Sequence, residues 1–158
     1  MTVQLQQRVE RLFFDYADGL DQGRFAEWPT YFAEDQCDYR VVSRENHDAS
    51  LPAPLMGCYT HGMVKDRVAM LIAKSLTYQK TYQRRYVSNV RVNQAPDGSL
   101  NAWSNLLVMQ CDLEGNPFTY MVGRQEDTLV EVAGQLKFRR RLIIVDSFSI
   151  DNVLAVPL

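Results

Sequence analysis

Apolar residues recur every three or four positions near the start of the chain, and this spacing predicts an amphipathic helix. The apolar stripe of this helix consists of Leu5, Val9, Leu12, Phe13, Tyr16 and Leu20. Gly19 and Gly23 flank its predicted end, where glycine readily takes the left-handed backbone that closes a helix. A short second helix is predicted over residues 24–32, with Pro29 limiting its length. Helical spacing returns over residues 62–76 and predicts a third helix.

Strand-forming residues make up two short segments before the third helix and four long segments after it. The short strands are predicted over residues 35–43 and 55–59, where β-branched and aromatic residues are frequent. Residues 44–54 between them are polar and contain proline, so a loop is predicted there. The long strands are predicted over residues 85–93, 100–111, 118–130 and 136–150. Because turn-forming residues separate these strands, they are expected to form an antiparallel meander.

The order of these elements indicates the fold class. Helices lie early in the chain and most strands lie late, which favours α+β over alternating parallel units. The length of 158 residues is typical of a single domain, and the sequence shows neither linker nor repeat over residues 1–158. We therefore predict a cone-shaped, curved antiparallel sheet with the N-terminal helices packed on its concave face.

The last strand and residues 153–158 contain more apolar residues than a sheet with one buried face can cover. Leu142 and Ile144 lie on one face of the last strand, and Ile143 and Val145 lie on the other. A strand of this kind is covered by a second layer or pressed against a partner. Residues 153–158 are also nearly all apolar, and such a segment docks on its own core or on a neighbour. In both cases we favour a neighbouring subunit.

Composition and charge exclude several classes of function. The chain is 46% hydrophobic and 23% charged, as in ordinary globular proteins. Its net charge of -2 gives no general attraction to nucleic acid or anionic lipid. No apolar run approaches the roughly 20 residues of a membrane span, and residues 1–15 lack a signal-peptide pattern. Cys37, Cys58 and Cys111 form no CxxC pair, which favours reduced thiols in a cytoplasmic protein.

Metal-binding and nucleotide-binding motifs are missing from the sequence. His47 and His61 lie in none of the usual metal-ligand spacings. An iron site of two histidines and a carboxylate would have to take both from separate loop regions. The sequence also lacks a glycine-rich nucleotide motif and a GxSxG nucleophile turn. We therefore predict that this chain holds no metal and no cofactor.

Two basic segments carry aromatic residues, as do proteins that bind single-stranded nucleic acid. They are residues 80–86 and residues 137–141. The chain nevertheless has 19 acidic against 17 basic residues, which argues against such a partner. Arginines that alternate along strands commonly pair with acids on the neighbouring strand. No nucleic-acid partner and no membrane partner are predicted.

A curved sheet under a helix can also enclose a pocket for acid–base chemistry. In that case Tyr16, Asp38 and Asp112 would face the pocket as proton donor and base, as in an isomerase or dehydratase. Alternatively, Tyr16 packs in the apolar stripe of the first helix and bonds a backbone group through its hydroxyl. The sequence pattern leaves both interpretations open.

Six short runs of residues that follow one another along the chain carry a resemblance to a known family. They are residues 25–35 (FAEWPTYFAED), 63–68 (MVKDRV), 85–92 (RYVSNVRV), 104–108 (SNLLV), 123–127 (GRQED) and 139–146 (RRRLIIVD). Over residues 10–158 the series resembles the small (beta) subunit of bacterial aromatic-ring-hydroxylating dioxygenases, which are Rieske non-haem iron oxygenases. Residues 44–48 and 55–59 are similar to members that act on aromatic acids, such as salicylate, anthranilate or terephthalate. The family often has His-Leu before Val-Ser-Asn, where this chain has Arg85 and Tyr86.

The resemblance implies a fold, a set of partners and a role. The family fold is a curved antiparallel sheet with helices on its concave side, similar to nuclear transport factor two and scytalone dehydratase. The small subunit is expected to form a trimer and to assemble with three large (alpha) subunits into a hexamer. The large subunit is expected to carry a Rieske iron–sulfur cluster and a mononuclear iron. This chain is then a non-catalytic structural subunit, and the pocket isomerase or dehydratase is the rival hypothesis.

Aromatic residues and arginines dominate the energetics of protein interfaces. On that basis six residues are predicted to contact other subunits: Trp28, Arg84, Arg85, Tyr86, Asn89 and Arg91.

Overall fold

A six-stranded curved sheet organises this computed structural model, which describes residues 3–73, 80–147, 149–151 and 153–158. The elements in chain order are α1 (Val3–Asp21), a 3₁₀ helix (Phe25–Tyr31), β1 (Asp38–Ser43), α2 (Arg44–Asp48), β2 (Met56–Cys58), α3 (His61–Ile72), β3 (Tyr82–Gln94), β4 (Leu100–Cys111), β5 (Pro117–Val132) and β6 (Gln135–Val145). The strand order is β2-β1-β6-β5-β4-β3. The predicted α+β class is confirmed.

The pairing of the strands differs from the prediction at one place. Neighbouring strands run antiparallel from β6 to β3, as the four long segments and their turns predicted. β1 and β6 pair in parallel, with Val42 beside Ile144. A long connection separates these two strands in sequence, so no turn signal relates them and their direction was not predictable locally.

Helix ends follow local capping chemistry that hydrophobic spacing does not report. α3 begins at His61 because the Thr60 side chain accepts a hydrogen bond from the backbone N–H of Met63. The predicted end of this helix at residue 76 lies outside the described residues. Residues 44–54 were predicted as a loop, but the structure forms α2 at their start. The Ser43 side chain caps α2 in the same way, and a five-residue helix is too short to show periodicity.

The concave side of the sheet carries the main core. The apolar stripe of α1 packs there, and Val9, Phe13 and Tyr16 are buried. Tyr16 meets Phe138 of β6 edge-on, with ring centroids 5.5 Å apart. Trp28 of the 3₁₀ helix meets Tyr39 of β1 in the same way at 5.1 Å. Edge-on aromatic pairs of this kind join the helical layer to the sheet.

The chain itself buries the surplus apolar residues near its end, which corrects the prediction of a neighbouring subunit. In segment 153–158, Leu154 and Ala155 are buried and Leu158 is 0% exposed in the main core. Strand β6 ends at Val145, five residues earlier than predicted, and Phe148 lies outside the described residues. Ile143 and Val145 face the main core, whereas Leu142 and Ile144 join Val42 in a second cluster on the opposite face.

Gly123 on β5 lies close to the backbone of the neighbouring strand β6. A Cβ atom at this position would lie 2.3 Å from the backbone carbonyl oxygen of Ile144. Gly123→Ala should therefore lower the free energy of unfolding by about 2 kcal/mol, because the sheet backbone must shift to admit the methyl group. Urea unfolding followed by circular dichroism measures the change.

Gly62→Ala is the matched control for this substitution. Gly62 lies in α3, and its nearest neighbour to an added Cβ is the Thr60 Oγ1 at 3.7 Å, an ordinary contact. This control should leave stability unchanged or slightly raised, since alanine favours helix. Equal stability losses in the two variants would contradict the account of close approach at Gly123.

Candidate functional site

Tyr16 lies where a catalytic proton donor was proposed, but its hydroxyl is already used. It accepts a hydrogen bond from Trp28 Nε1 at 2.9 Å and donates one to the carbonyl oxygen of Leu158 at 2.9 Å. Burial raises the pKa of Tyr16 above its ordinary value. The alternative prediction, a packed tyrosine bonded to backbone, is the one the structure supports.

The two carboxylates proposed to work with Tyr16 each have their own partners. Asp38 on β1 accepts from Arg40 Nε at 2.7 Å and lies 4.0 Å from Arg140 Nε. Asp112 closes the turn between β4 and β5, where it accepts from Asn116 N at 2.8 Å and from Asn116 Nδ2 at 2.9 Å. These hydrogen bonds lower the pKa of Asp112. No hydrogen bond described for either carboxylate reaches Tyr16, so the structure does not assemble the proposed acid–base group.

A buried ion pair lies beneath Tyr16, and the sequence analysis missed it. Asp127 and Arg141 are direct neighbours across β5 and β6, and Arg141 Nη1 lies 3.1 Å from Asp127 Oδ2. The Arg141 guanidinium carbon is 4.2 Å from the Tyr16 ring centroid and 4.4 Å from that of Phe138. Neither charged side chain is exposed. The pair therefore lies out of reach of solvent and substrate, and its desolvation cost opposes its Coulombic attraction.

Burial dominates the ionisation of this pair. It raises the pKa of Asp127 to about 7, although the positive charge of Arg141 acts in the opposite direction. Asp127 Oδ1 and Arg141 Nε and Nη2 are buried and have no hydrogen-bond partner. Three unpaired polar atoms add a desolvation cost, so the ionised carboxylate is disfavoured at this position.

The remaining candidate groups of the sequence have local structural partners. His61 Nε2 is hydrogen-bonded to the Pro29 carbonyl oxygen at 2.9 Å, and His47 Nδ1 lies 3.2 Å from Asp48. Burial raises the pKa of Cys37 to about 12, which makes its thiol a poor nucleophile. Within the described ranges, three or more potential metal-ligating side chains do not gather anywhere.

Apolar and charged side chains share the outer face of the sheet, opposite α1. Tyr86, Leu107 and Val122 are directly opposed in register on β3, β4 and β5, so their side chains form one row. Tyr86 is 56% exposed and Val122 is 41% exposed. Trp103, 39% exposed, lies on the same face of β4, with the exposed Asn105 between it and Leu107. Exposed aromatic and aliphatic residues in one row are typical of a protein-contact surface. We call this row and Trp103 the outer patch.

Three of the six predicted interface residues border the outer patch. Arg84 and Arg91 are the exposed register partners of Met109 and Trp103, and Tyr86 is part of the row itself. Asn89 is exposed at a β-bulge between Ser88 and Arg91, with φ of 55°. Asparagine tolerates this left-handed backbone better than most residues.

The other two predicted interface residues lie inside the chain, and the prediction that they present exposed side chains is wrong. Trp28 is buried between Tyr16 and Tyr39. Arg85 is buried in an ion pair with Asp21, at 2.6 Å from Nη1 to Oδ1. Residue type alone suggested an interface, but aromatic rings and paired arginines also fill cores.

The basic segment 137–141 pairs within the chain, as the sequence analysis predicted for strand arginines. Arg139 Nη1 lies 3.6 Å from Asp97, and Arg140 and Arg141 face Asp38 and Asp127. This pairing accounts for the arginines without a nucleic-acid partner. None of the helices in the described residues combines the length and hydropathy needed to cross a membrane.

Comparison with known proteins identifies the family. The family model "Ring hydroxylating beta subunit" matches residues 16–152. The chain is 32% identical over 143 residues to the anthranilate 1,2-dioxygenase small subunit of Burkholderia cepacia, covering 90% of this chain and 88% of the relative. It is 25% identical over 143 residues to subunit beta 2 of the terminal oxygenase component of terephthalate 1,2-dioxygenase from Comamonas sp, covering 90% and 92%.

A solved structure agrees with this sequence relationship. A protein from Novosphingobium aromaticivorans DSM 12444, assigned as the beta subunit of an aromatic-ring-hydroxylating dioxygenase, superimposes with a TM-score of 0.86. The identity is 28%, and the match covers 98% of this chain and 97% of that one. The chain belongs to the ring-hydroxylating dioxygenase beta subunits. The predicted family and fold are confirmed, and the large (alpha) subunit of a multicomponent dioxygenase is its partner.

The raised pKa of Asp127 predicts how stability depends on pH. Because the folded pKa of about 7 exceeds the ordinary 3.8, the folded state holds this proton more tightly than the unfolded state. The resulting stabilisation is complete below pH about 4 and is lost as the pH rises through 7. It amounts to roughly 4 kcal/mol in total.

Asp127→Asn removes the titration at this position. We measure the free energy of unfolding of the native chain and of the variant by urea unfolding at each pH. The native value minus the variant value should decrease as the pH rises from 4 to 8. A difference that stays level or rises slightly over this range would contradict the raised pKa, because a carboxyl with a lowered folded pKa titrates below pH 4.

Proposed function

We propose that this chain is the non-catalytic structural subunit of an oxygenase that hydroxylates an aromatic carboxylate. The substrate class is supported by two relatives that are named for anthranilate and terephthalate, which are both aromatic acids. In this proposal three copies of the chain form a trimer that binds three large subunits. Each large subunit carries the Rieske iron–sulfur cluster and the mononuclear iron, and this chain carries no cofactor.

The filled concave side supports a non-catalytic role. Segment 153–158 lies against Tyr16 and Tyr39, and the buried Asp127–Arg141 pair is sealed beneath the Tyr16 ring. The Tyr16 hydroxyl and the Asp127 carboxyl are therefore kept away from any substrate. This arrangement also weighs against the rival isomerase or dehydratase, which needs Tyr16 free to contact a bound molecule.

The outer patch supports a role in assembly and is the observation that carries the proposal. It presents Tyr86, Trp103 and Val122 to solvent in the isolated chain, and Arg84 and Arg91 lie beside it. Apolar centres with arginines at the edge are the usual anatomy of a binding surface. In an oligomer of this family, a rigid sheet at the contact would hold neighbouring large subunits at fixed separation, so that electrons pass from the cluster of one to the iron of the next.

Val122→Asp tests the assembly surface. Val122 is the β5 end of the row and lies opposite Leu107 across the strands. A carboxylate at this position would be desolvated without a partner in the assembled contact, so the variant should retain at least tenfold less large subunit. The measurement is co-purification of the tagged chain with the large subunit from cells that produce both.

Val132→Asp is the matched control, because Val132 is on the same strand and is 45% exposed but lies outside the patch. It should assemble like the native chain, and both variants should keep a native circular dichroism spectrum. Equal recovery of the large subunit by the two variants would refute the assignment of the surface.

The substrate class predicts a strong preference for the charged ring. The purified complex should oxidise anthranilate or terephthalate at least tenfold faster than aniline or p-xylene at equal concentration. A site that binds a carboxylate leaves its own polar groups unpaired when that group is missing. Oxygen uptake and product analysis measure the ratio, and faster oxidation of p-xylene would contradict the proposed class.

A further inference from the structure

Three side chains from three different elements receive the backbone of segment 153–158. Tyr16 on α1 donates to the Leu158 carbonyl oxygen at 2.9 Å, and Tyr39 on β1 accepts from the Leu158 N–H at 2.9 Å. Arg85 Nη2 on β3 donates to the Pro157 carbonyl oxygen. No strand ladder holds this segment, so these side chains provide its long-range polar contacts.

The receiving side chains are held in place by groups outside the segment. Tyr16 accepts from Trp28 Nε1, and the Trp28 ring meets Tyr39 edge-on at 5.1 Å. Asp21 binds Arg85 twice, at its backbone N–H and at Nη1. None of these supports involves segment 153–158, which favours a receiving surface that keeps its geometry when the segment leaves.

The chemistry of this surface defines what fits it. The Tyr16 hydroxyl and the Arg85 guanidinium supply hydrogen-bond donors, and the Tyr39 hydroxyl supplies an acceptor. The rings of Trp28 and Tyr39 supply apolar walls. A chain with peptide carbonyls and aliphatic side chains matches both, and Leu158 is fully buried there. Peptide-binding sites usually combine groups that hydrogen-bond to the peptide backbone with pockets that hold its apolar side chains.

We propose that the concave side of this subunit is a recognition site for an apolar peptide segment, and that segment 153–158 is its resident, exchangeable ligand. The covalent connection keeps the local concentration of this segment high. The site should therefore retain the segment after the connection is cut and should exchange it for an identical peptide.

The test uses the full chain with a specific protease site inserted after Asp151, cut after folding. Native mass spectrometry then follows the release of the segment and its replacement by an isotopically labelled peptide of residues 153–158. We expect the cut chain to keep the peptide, to exchange it with excess labelled peptide, and to retain its circular dichroism spectrum. Failure to exchange the peptide, or unfolding on cleavage, would show that the segment is simply part of the core. Immediate loss of the peptide from a folded chain would show that the surface does not bind it and would also overturn the proposal.

Two tyrosine-to-phenylalanine variants test whether a specific hydroxyl holds the peptide. Tyr39→Phe removes the hydroxyl that binds the Leu158 N–H, and it should weaken peptide retention about fivefold to tenfold. Tyr31→Phe removes a hydroxyl that donates to the Asp15 carbonyl oxygen at 2.9 Å, away from the segment, and should leave retention unchanged. Equal effects in the two variants would overturn the proposal.

Hydrogen exchange on the uncut chain gives a second readout of the same contact. The Leu158 amide should exchange about fivefold to tenfold faster in Tyr39→Phe than in the native chain, and at the native rate in Tyr31→Phe. An unchanged rate in Tyr39→Phe would contradict recognition through this hydroxyl, even if the cut chain kept its peptide.

Discussion

One chain of hydrogen bonds fixes the concave side of this subunit. The indole of Trp28 donates to the Tyr16 hydroxyl, and this hydroxyl donates to the carbonyl of Leu158. These two hydrogen bonds join α1, the 3₁₀ helix and segment 153–158. In such buried surroundings an unpaired polar group costs about 1–3 kcal/mol. Segment 153–158 therefore fills the space between α1 and the sheet. The same interaction closes the core on this side of the sheet.

The two faces of the sheet have divided roles. Toward α1, the register places Arg141 against Asp127 under a layer of aromatic rings, and both charges are removed from solvent. On the opposite face, β3 presents Tyr86 and β5 presents Val122 to solvent. Because the side chains of a strand alternate between faces, one sheet supplies both a sealed core and an exposed apolar surface.

The periodicity of apolar residues predicted the elements that are long enough for the pattern to recur several times. α1 and the four long strands were located within a few residues, because their buried positions recur several times. Residue type could not show whether Trp28 and Arg85 lie inside or outside, since each is common at interfaces and in paired core positions. The Asp127–Arg141 pair escaped notice because strand register, which depends on the whole sheet, brings the two residues together.

Oxidative footprinting of side chains, on the free chain and on the chain bound to its large subunit, tests the central assignment most directly. We expect Tyr86 and Trp103 in the outer patch to lose reactivity on assembly. Met63 and Met70 on α3, which are also exposed, should stay reactive. Protection of the two methionines with unchanged Tyr86 and Trp103 would contradict the account and place the subunit contact on the helical side of the fold.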